Sequence, residues 1–195
     1  KRPRGARGSK ELLLMQPPLI IAGKEFKSRL ILGTGRYRSM EEMVGAIEAS
    51  GTEMITVALR RLNLDDPDNK TLLDYIDWSK YLILPNTAGC RTSEEALTVA
   101  RMARAMGLSD WIKLEVIPDP KYLLPDPVGT FEAAKILIAE NFTVLPYIHE
   151  EVLHVLVGKE LLGWHDVALV LWLPVDLVDG RKPLRVLWRL LQTAV

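Results

Sequence analysis

The chain of 195 residues holds a single cysteine, Cys90, and only three histidines, His149, His154 and His165. One thiol cannot form an internal disulfide, which excludes a disulfide framework and suits a reducing compartment. The histidines match no zinc-ligand spacing and have no second cysteine to join them, so no metal centre is expected. Net charge is missing too: 25 basic residues meet 25 acidic ones, and without a global field the chain is not read as a nucleic-acid or membrane-surface binder. No apolar run reaches the roughly 18–20 residues that span a bilayer. The run at 12–14 is too short for the core of a secretory signal. These shortages predict a cytoplasmic protein with neither a membrane nor a nucleic acid as partner.

What is present is globular composition, 48% hydrophobic and 26% charged, enough to fill a sizeable core. Lys1, Arg2, Arg4, Arg7 and Lys10 make residues 1–18 read as a basic, disordered leader. Within it, Met15 followed by Gln-Pro-Pro resembles a start for the folded part. From 19 to 148 strand and helix patterns alternate. A hairpin is predicted from 19–22 and 27–30 around Gly23-Lys24. A strand at 30–32 runs into Gly33-Thr34-Gly35. A helix follows from Ser39 to Ser50, with Ser39 as N-cap, Glu42 three residues on and Gly51 as the stop. Strands are expected at 54–59, 81–84, 111–117 and 142–145. A polar loop and short helix are expected around 65–77, a helix from Thr92 to about Met106 with Glu95 completing a capping box, and another from Thr130 to about Glu140. Repeated strand–helix alternation with short apolar strands predicts a parallel sheet, either open and doubly wound or closed into a barrel. In both, the carboxyl ends of the strands build the site.

The most informative of these strands is Trp111-Ile112-Lys113-Leu114-Glu115-Val116-Ile117. Side chains alternate faces along a strand, so Ile112, Leu114 and Val116 point one way and Lys113 and Glu115 the other. A lysine and a glutamate on a buried strand are costly unless paired or used. The lysine is a candidate for imine formation with a carbonyl substrate, the carboxylate for proton transfer. The same spacing also fits a structural ion pair, and the residues alone leave the two readings open. Other signals are weaker. Gly33-Thr34-Gly35 lacks the third glycine of a dinucleotide loop and reads as a tight turn. Arg60-Arg61 fits an anion grip or a solvated loop pair equally well. Met15, Met40, Met43 and Met54 read as core filler.

Five stretches, taken together and in order, resemble thiazole synthase of bacterial thiamin biosynthesis, of cyanobacterial type. They are Ser28-Arg29-Leu30-Ile31-Leu32-Gly33-Thr34-Gly35, Thr56-Val57-Ala58-Leu59-Arg60-Arg61, Leu84-Pro85-Asn86-Thr87-Ala88-Gly89-Cys90, Lys113-Leu114-Glu115-Val116-Ile117-Pro118-Asp119-Pro120 and Val144-Leu145-Pro146-Tyr147. The resemblance covers 19–148 and implies the amino-terminal part of a (β/α)8 TIM barrel, here incomplete with about five to six strands. It implies condensation of 1-deoxy-D-xylulose 5-phosphate with dehydroglycine and with sulfur from the thiocarboxylate of a small carrier protein. By the motif match, Lys113 is the imine-forming lysine and Glu115 the acid/base group. Arg60, Asn86, Thr87 and Tyr147 are candidate substrate-binding residues. The implied partners are the sulfur-carrier protein, the sugar phosphate and further copies of the chain; no cofactor is implied.

The chain departs from that family after the fifth barrel strand. The family's Met-Pro-Leu-Gly strand, its Gly-Ser-Pro-Ile-Gly-Ser-Gly loop, its Val-Asp-Ala-Gly strand and its Asn-Thr-Ala strand do not occur. With them go the phosphate cradle and one acid. Residues 149–195 instead read as a helix–strand–helix tail carrying Trp164, Trp172 and Trp188, three of the five tryptophans. This tail is either divergent or a frame-shifted reading of the same gene. Translating the coding DNA in its other two frames decides, and the frame-shift idea fails if neither encodes the glycine-rich loop. Two further functions stay open at the level of sequence: a non-catalytic module that binds the carrier protein, and an aldolase-type imine-forming lyase.

Overall fold

The computed structural model describes residues 18–62 and 71–148. The predicted leader up to residue 17, most of the polar loop after Leu62, the three histidines and the whole 149–195 tail lie outside the described residues.

Among the described residues, seven strands and three α-helices follow one another in the order expected of strand–helix units. The hairpin comprises β1 (Leu19–Ile21) and β2 (Lys24–Phe26), paired antiparallel with Leu19 opposite Phe26. Its turn is Ala22-Gly23, both at positive φ, so the second strand starts three residues earlier than the 27–30 expected. The predicted turn pair, Gly23-Lys24, had placed Lys24 in the turn, but the left-handed backbone falls one residue sooner.

The five remaining strands are β3 (Ile31–Gly33), β4 (Met54–Ala58), β5 (Leu82–Asn86), β6 (Trp111–Leu114) and β7 (Thr143–Pro146). They form one parallel sheet in the order β3-β4-β5-β6-β7. That consecutive order separates the two architectures left open by the sequence. A doubly wound sheet reverses its strand order once and carries helices on both faces. Here nothing reverses, and α1 (Met40–Ser50), α2 (Ser93–Ala105) and α3 (Pro127–Ala139) all pack into a single cluster. The sheet side of that cluster is Ile55, Val57, Ile83, Ile112, Leu114 and Val144, every second residue of the strands. This is the winding of a (β/α)8 barrel, of which the described residues supply five strands.

The opposite face is the barrel interior. Its lower layer is Met54, Leu84 and Leu145 with Ile31, Leu82 and Trp111, and the hairpin side chains Leu19, Ile21 and Phe26 pack into it. Phe26 meets Trp111 edge to face, ring centroids 6.0 Å apart at 78°, a favourable aromatic geometry. The hairpin therefore caps the amino-terminal end of the strands with apolar surface. The carboxylate of Glu53 fixes its exit by accepting from the backbone N–H groups of Lys27 and Ser28.

The helix starts follow the capping rule. The hydroxyls of Ser39 and Thr92 accept from the N–H groups of Glu42 and Glu95 at 3.2 Å. The glutamates do not reach back to their caps; they accept from Arg38 and Arg91, one residue further upstream. The third helix starts earlier than the predicted Thr130. Asp126 is its cap, bonded from Val128 N–H, and Pro127 takes the first helical position, where a missing N–H costs nothing. Of the predicted short helix at 65–77, the described part is a 3₁₀ turn at Leu72–Asp74.

Candidate active site

The polar residues gather on the interior face, at the carboxyl ends of the strands. Alternation along β6 carries Lys113 to that face while Ile112 and Leu114 are fully buried against the helices. The ladder ends at Leu114, three residues short of the expected strand, yet Glu115 keeps the same side. Its N–H donates to the Thr87 hydroxyl at 2.7 Å, and that hydroxyl donates to the Glu115 carbonyl at 2.7 Å. Thr87 is completely buried, and it works as the clamp that holds Glu115 beside the lysine. Both of its hydroxyl bonds are spent on backbone, so it is a positioning residue and makes no contact with the cavity.

Lys113 Nζ donates to Glu115 Oε1 at 2.6 Å, and the two side chains are 15% and 9% exposed. The ammonium also lies 4.9 Å from the centroid of the Tyr147 ring, within reach of a cation–π contact. The Tyr147 N–H bonds the Leu114 carbonyl at 2.8 Å, which sets the ring beside β6. Burial, with the Glu115 charge adding to it, pushes the Tyr147 phenol well above its ordinary value.

Asn86 is in register with Lys113 across the sheet. Its side-chain amide donates to Thr56 Oγ1 at 2.9 Å, and its carbonyl oxygen accepts from Ala88 N–H. Lys113, Glu115, Asn86 and Thr56 all line one cavity of about 660 Å³, closed on another side by the β3–α1 loop from Gly33 through Ser39. That volume lies in the range of small-molecule sites. A primary amine, an adjacent carboxylate and an amide around one cavity can together receive a carbonyl compound and move a proton on it.

Arg60 is placed elsewhere. Its guanidinium donates to the Gly89 carbonyl at 2.8 Å and to Glu95 Oε2 at 3.2 Å, and it borders a second groove with Glu94, Thr98 and Met102. It ties the loop after β5 to the start of α2, a role that spacing alone could not reveal because its partners lie 29 and 35 residues away. Burial pushes the thiol of Cys90 up, Arg60 opposing this only in part, so Cys90 is a packing residue. Thr56, Arg36 and Arg38 line the cavity without having been singled out as site residues. Thr56 was legible, since it alternates with the buried Ile55 and Val57 and so shares the face of Lys113. The arginines were not, because a loop has no period. Among the described residues no group of three potential ligands is arranged to hold a metal.

Comparison with known proteins places these features in a lineage. Residues 20–163 match the family described as thiazole biosynthesis protein ThiG. The chain is 58% identical over 137 residues to thiazole synthase of Syntrophobacter fumaroxidans, a match covering 70% of this chain and 53% of that protein. It is 53% identical over 147 residues to thiazole synthase of Thermosynechococcus vestitus, covering 72% and 53%. Over 143 residues it is 56% identical to the bifunctional protein ThiO/ThiG of a Nostoc species, covering 70% and 22%. The chain thus spans about half the length of the thiazole synthases it matches. A crystal structure of the Amycolatopsis orientalis BexX/CysO complex has a similar fold, with a TM-score of 0.56 at 30% identity, covering 68% of this chain and 55% of that one. No described helix is long and apolar enough to cross a membrane. A consecutive parallel sheet, the motifs at its strand ends and a family match over most of its length make this chain a member of the ThiG thiazole biosynthesis family, a TIM-barrel family, with the likeness concentrated in its amino-terminal two-thirds.

Proposed function

We propose that the chain carries the imine-forming half of a thiazole synthase site. Lys113 attacks the ketone of 1-deoxy-D-xylulose 5-phosphate as a free amine. The carbinolamine then loses water to give the imine, and Glu115 serves as the group that takes the proton from the amine and returns it to the departing hydroxyl. Asn86 and Thr56 orient the sugar hydroxyls, and Tyr147 lies against the amine. Dehydroglycine and the thiocarboxylate of a sulfur-carrier protein supply the remaining atoms of the thiazole phosphate. The observation that carries this reading is the 2.6 Å contact between Lys113 Nζ and Glu115 Oε1 on the wall of a cavity large enough for a sugar phosphate. A carrier-protein partner is supported by the structural likeness to a BexX/CysO complex.

The test is reduction with borohydride in the presence of the sugar phosphate, followed by peptide mass spectrometry. A stable adduct on Lys113, lost in Lys113→Arg and formed more slowly in Glu115→Gln, is the expected outcome. Absence of any adduct at saturating sugar defeats it. The likeness to a BexX/CysO complex supports one second reading, a non-catalytic module that docks the carrier. Carrier binding without adduct selects that one.

A further inference from the structure

The cavity that holds Lys113 has cations to spare. Three cationic side chains line it, Arg36, Arg38 and Lys113, against one carboxylate, Glu115. The chain as a whole has no net charge, so this is a local concentration of positive charge, of the kind that draws anions into a cleft. Lys113 is paired with Glu115. Neither the Arg36 nor the Arg38 guanidinium has an ion-pair or hydrogen-bond partner among the described residues. Of the two acids that follow in sequence, Glu41 and Glu42, Glu42 turns its carboxylate to the backbone N–H of Arg38.

The backbone holds the loop in an unusual shape to achieve this. Arg36 has φ 70°, a left-handed conformation that a side-chain-bearing residue adopts at a cost. On one side it follows Gly35, and on the other the loop runs into Ser39, the cap of α1. The two arginines are exposed while Lys113 is largely buried, so the cavity is amine at its base and guanidinium at its rim.

We infer that Arg36 and Arg38, on the β3–α1 loop, form an oxyanion subsite that takes the phosphate of the same carbonyl substrate whose ketone reaches Lys113. This rests on the imine reading of the cavity given above. Phosphate is favoured over a carboxylate because two separate guanidiniums meet it. One arginine already satisfies both oxygens of a carboxylate, whereas a phosphate dianion offers three oxygens and more charge.

The first measurement is labelling of the full chain with phenylglyoxal, read arginine by arginine by peptide mass spectrometry, with ion-paired Arg101 as internal reference. The sugar phosphate is expected to slow labelling of Arg36 and Arg38 several-fold and to leave Arg101 unchanged; inorganic phosphate is expected to do so at higher concentration. No protection overturns the inference whatever happens at Lys113. Protection by a glycine-ended peptide and not by the sugar phosphate assigns the loop to a peptide carboxylate and also overturns it.

The second measurement is borohydride trapping by Arg36→Asn/Arg38→Gln, asparagine being chosen because it tolerates the left-handed backbone. The concentration of 1-deoxy-D-xylulose 5-phosphate giving half-maximal adduct is expected to rise about tenfold or more. That for unphosphorylated 1-deoxy-D-xylulose is expected to stay unchanged. Equal effects on both sugars defeat the phosphate subsite while leaving the imine chemistry intact. Protected arginines with no adduct in the unaltered chain defeat the imine chemistry and leave the anion site standing.

Discussion

At the residue scale, Lys113 and Glu115 behave as alternation requires. One β-strand period apart, they share a side, and the pleat sends their neighbours Ile112, Leu114 and Val116 into the helix-side core with no exposure at all. What the spacing could not supply is the clamp. Thr87 lies 28 residues away and holds Glu115 through two backbone contacts. Tyr147, also brought in by the fold, makes the site sensitive to alkali. Its phenol is held protonated by burial and by the Glu115 charge, so the folded state binds that proton more tightly than the unfolded chain does. Stability from this group is complete below the ordinary phenol value of about 10 and falls as pH rises beyond it. Urea midpoints measured against pH are expected to drop faster above that point for the unaltered chain than for Tyr147→Phe. Parallel curves would show that the phenol is not held this way.

At the scale of elements, local chemistry placed most boundaries to within a few residues. Ser39, Thr92 and Gly51 act at helix ends as their types predict because capping is settled within one turn of chain. The early start of α3 is written in Asp126-Pro127, a cap followed by a first-turn proline, a stronger local signal than Thr130. Close approaches between elements were not legible. Gly129 sits where α2 meets α3: its carbonyl accepts from Ser93 Oγ at 2.8 Å, and a β-carbon there would fall 3.1 Å from that hydroxyl and 2.7 Å from Asp126 Oδ2. The loop after β5 gives a cleaner test. Gly89 has φ 87°, and a β-carbon would come within 3.4 Å of Arg60 Nη1, the atom that binds the Gly89 carbonyl. Gly89→Ala is expected to cost about 1–2 kcal/mol, measured as a lower denaturant midpoint. Pairing it with Arg60→Ala should recover only the contact part. An unchanged midpoint in the single variant would mean that the loop relaxes freely.

At the scale of the whole molecule, the described sheet has two outer strands, β3 and β7, which in a closed barrel would each have a second neighbour. Among the described residues nothing pairs with either outer side. Such edges offer unpaired N–H and C=O groups to another chain. Where these sides stay uncovered in the full chain, it self-associates, giving species heavier than the monomer by sedimentation velocity as concentration rises. A single monomer across the range would show that the edges are covered.

The sequence by itself determined the lineage, the strand-end motifs and the side of β6 on which the amine and carboxylate lie. All three depend on local order and on a period of two, which a linear chain carries in full. Only the tertiary structure decided that the sheet winds as a barrel and that a hairpin plugs its lower end. It alone sent Arg60 to bind a neighbouring loop and brought Arg36 and Arg38 to the rim of the lysine's cavity. Those are meetings of residues distant along the chain, and no local preference encodes them until packing brings them together.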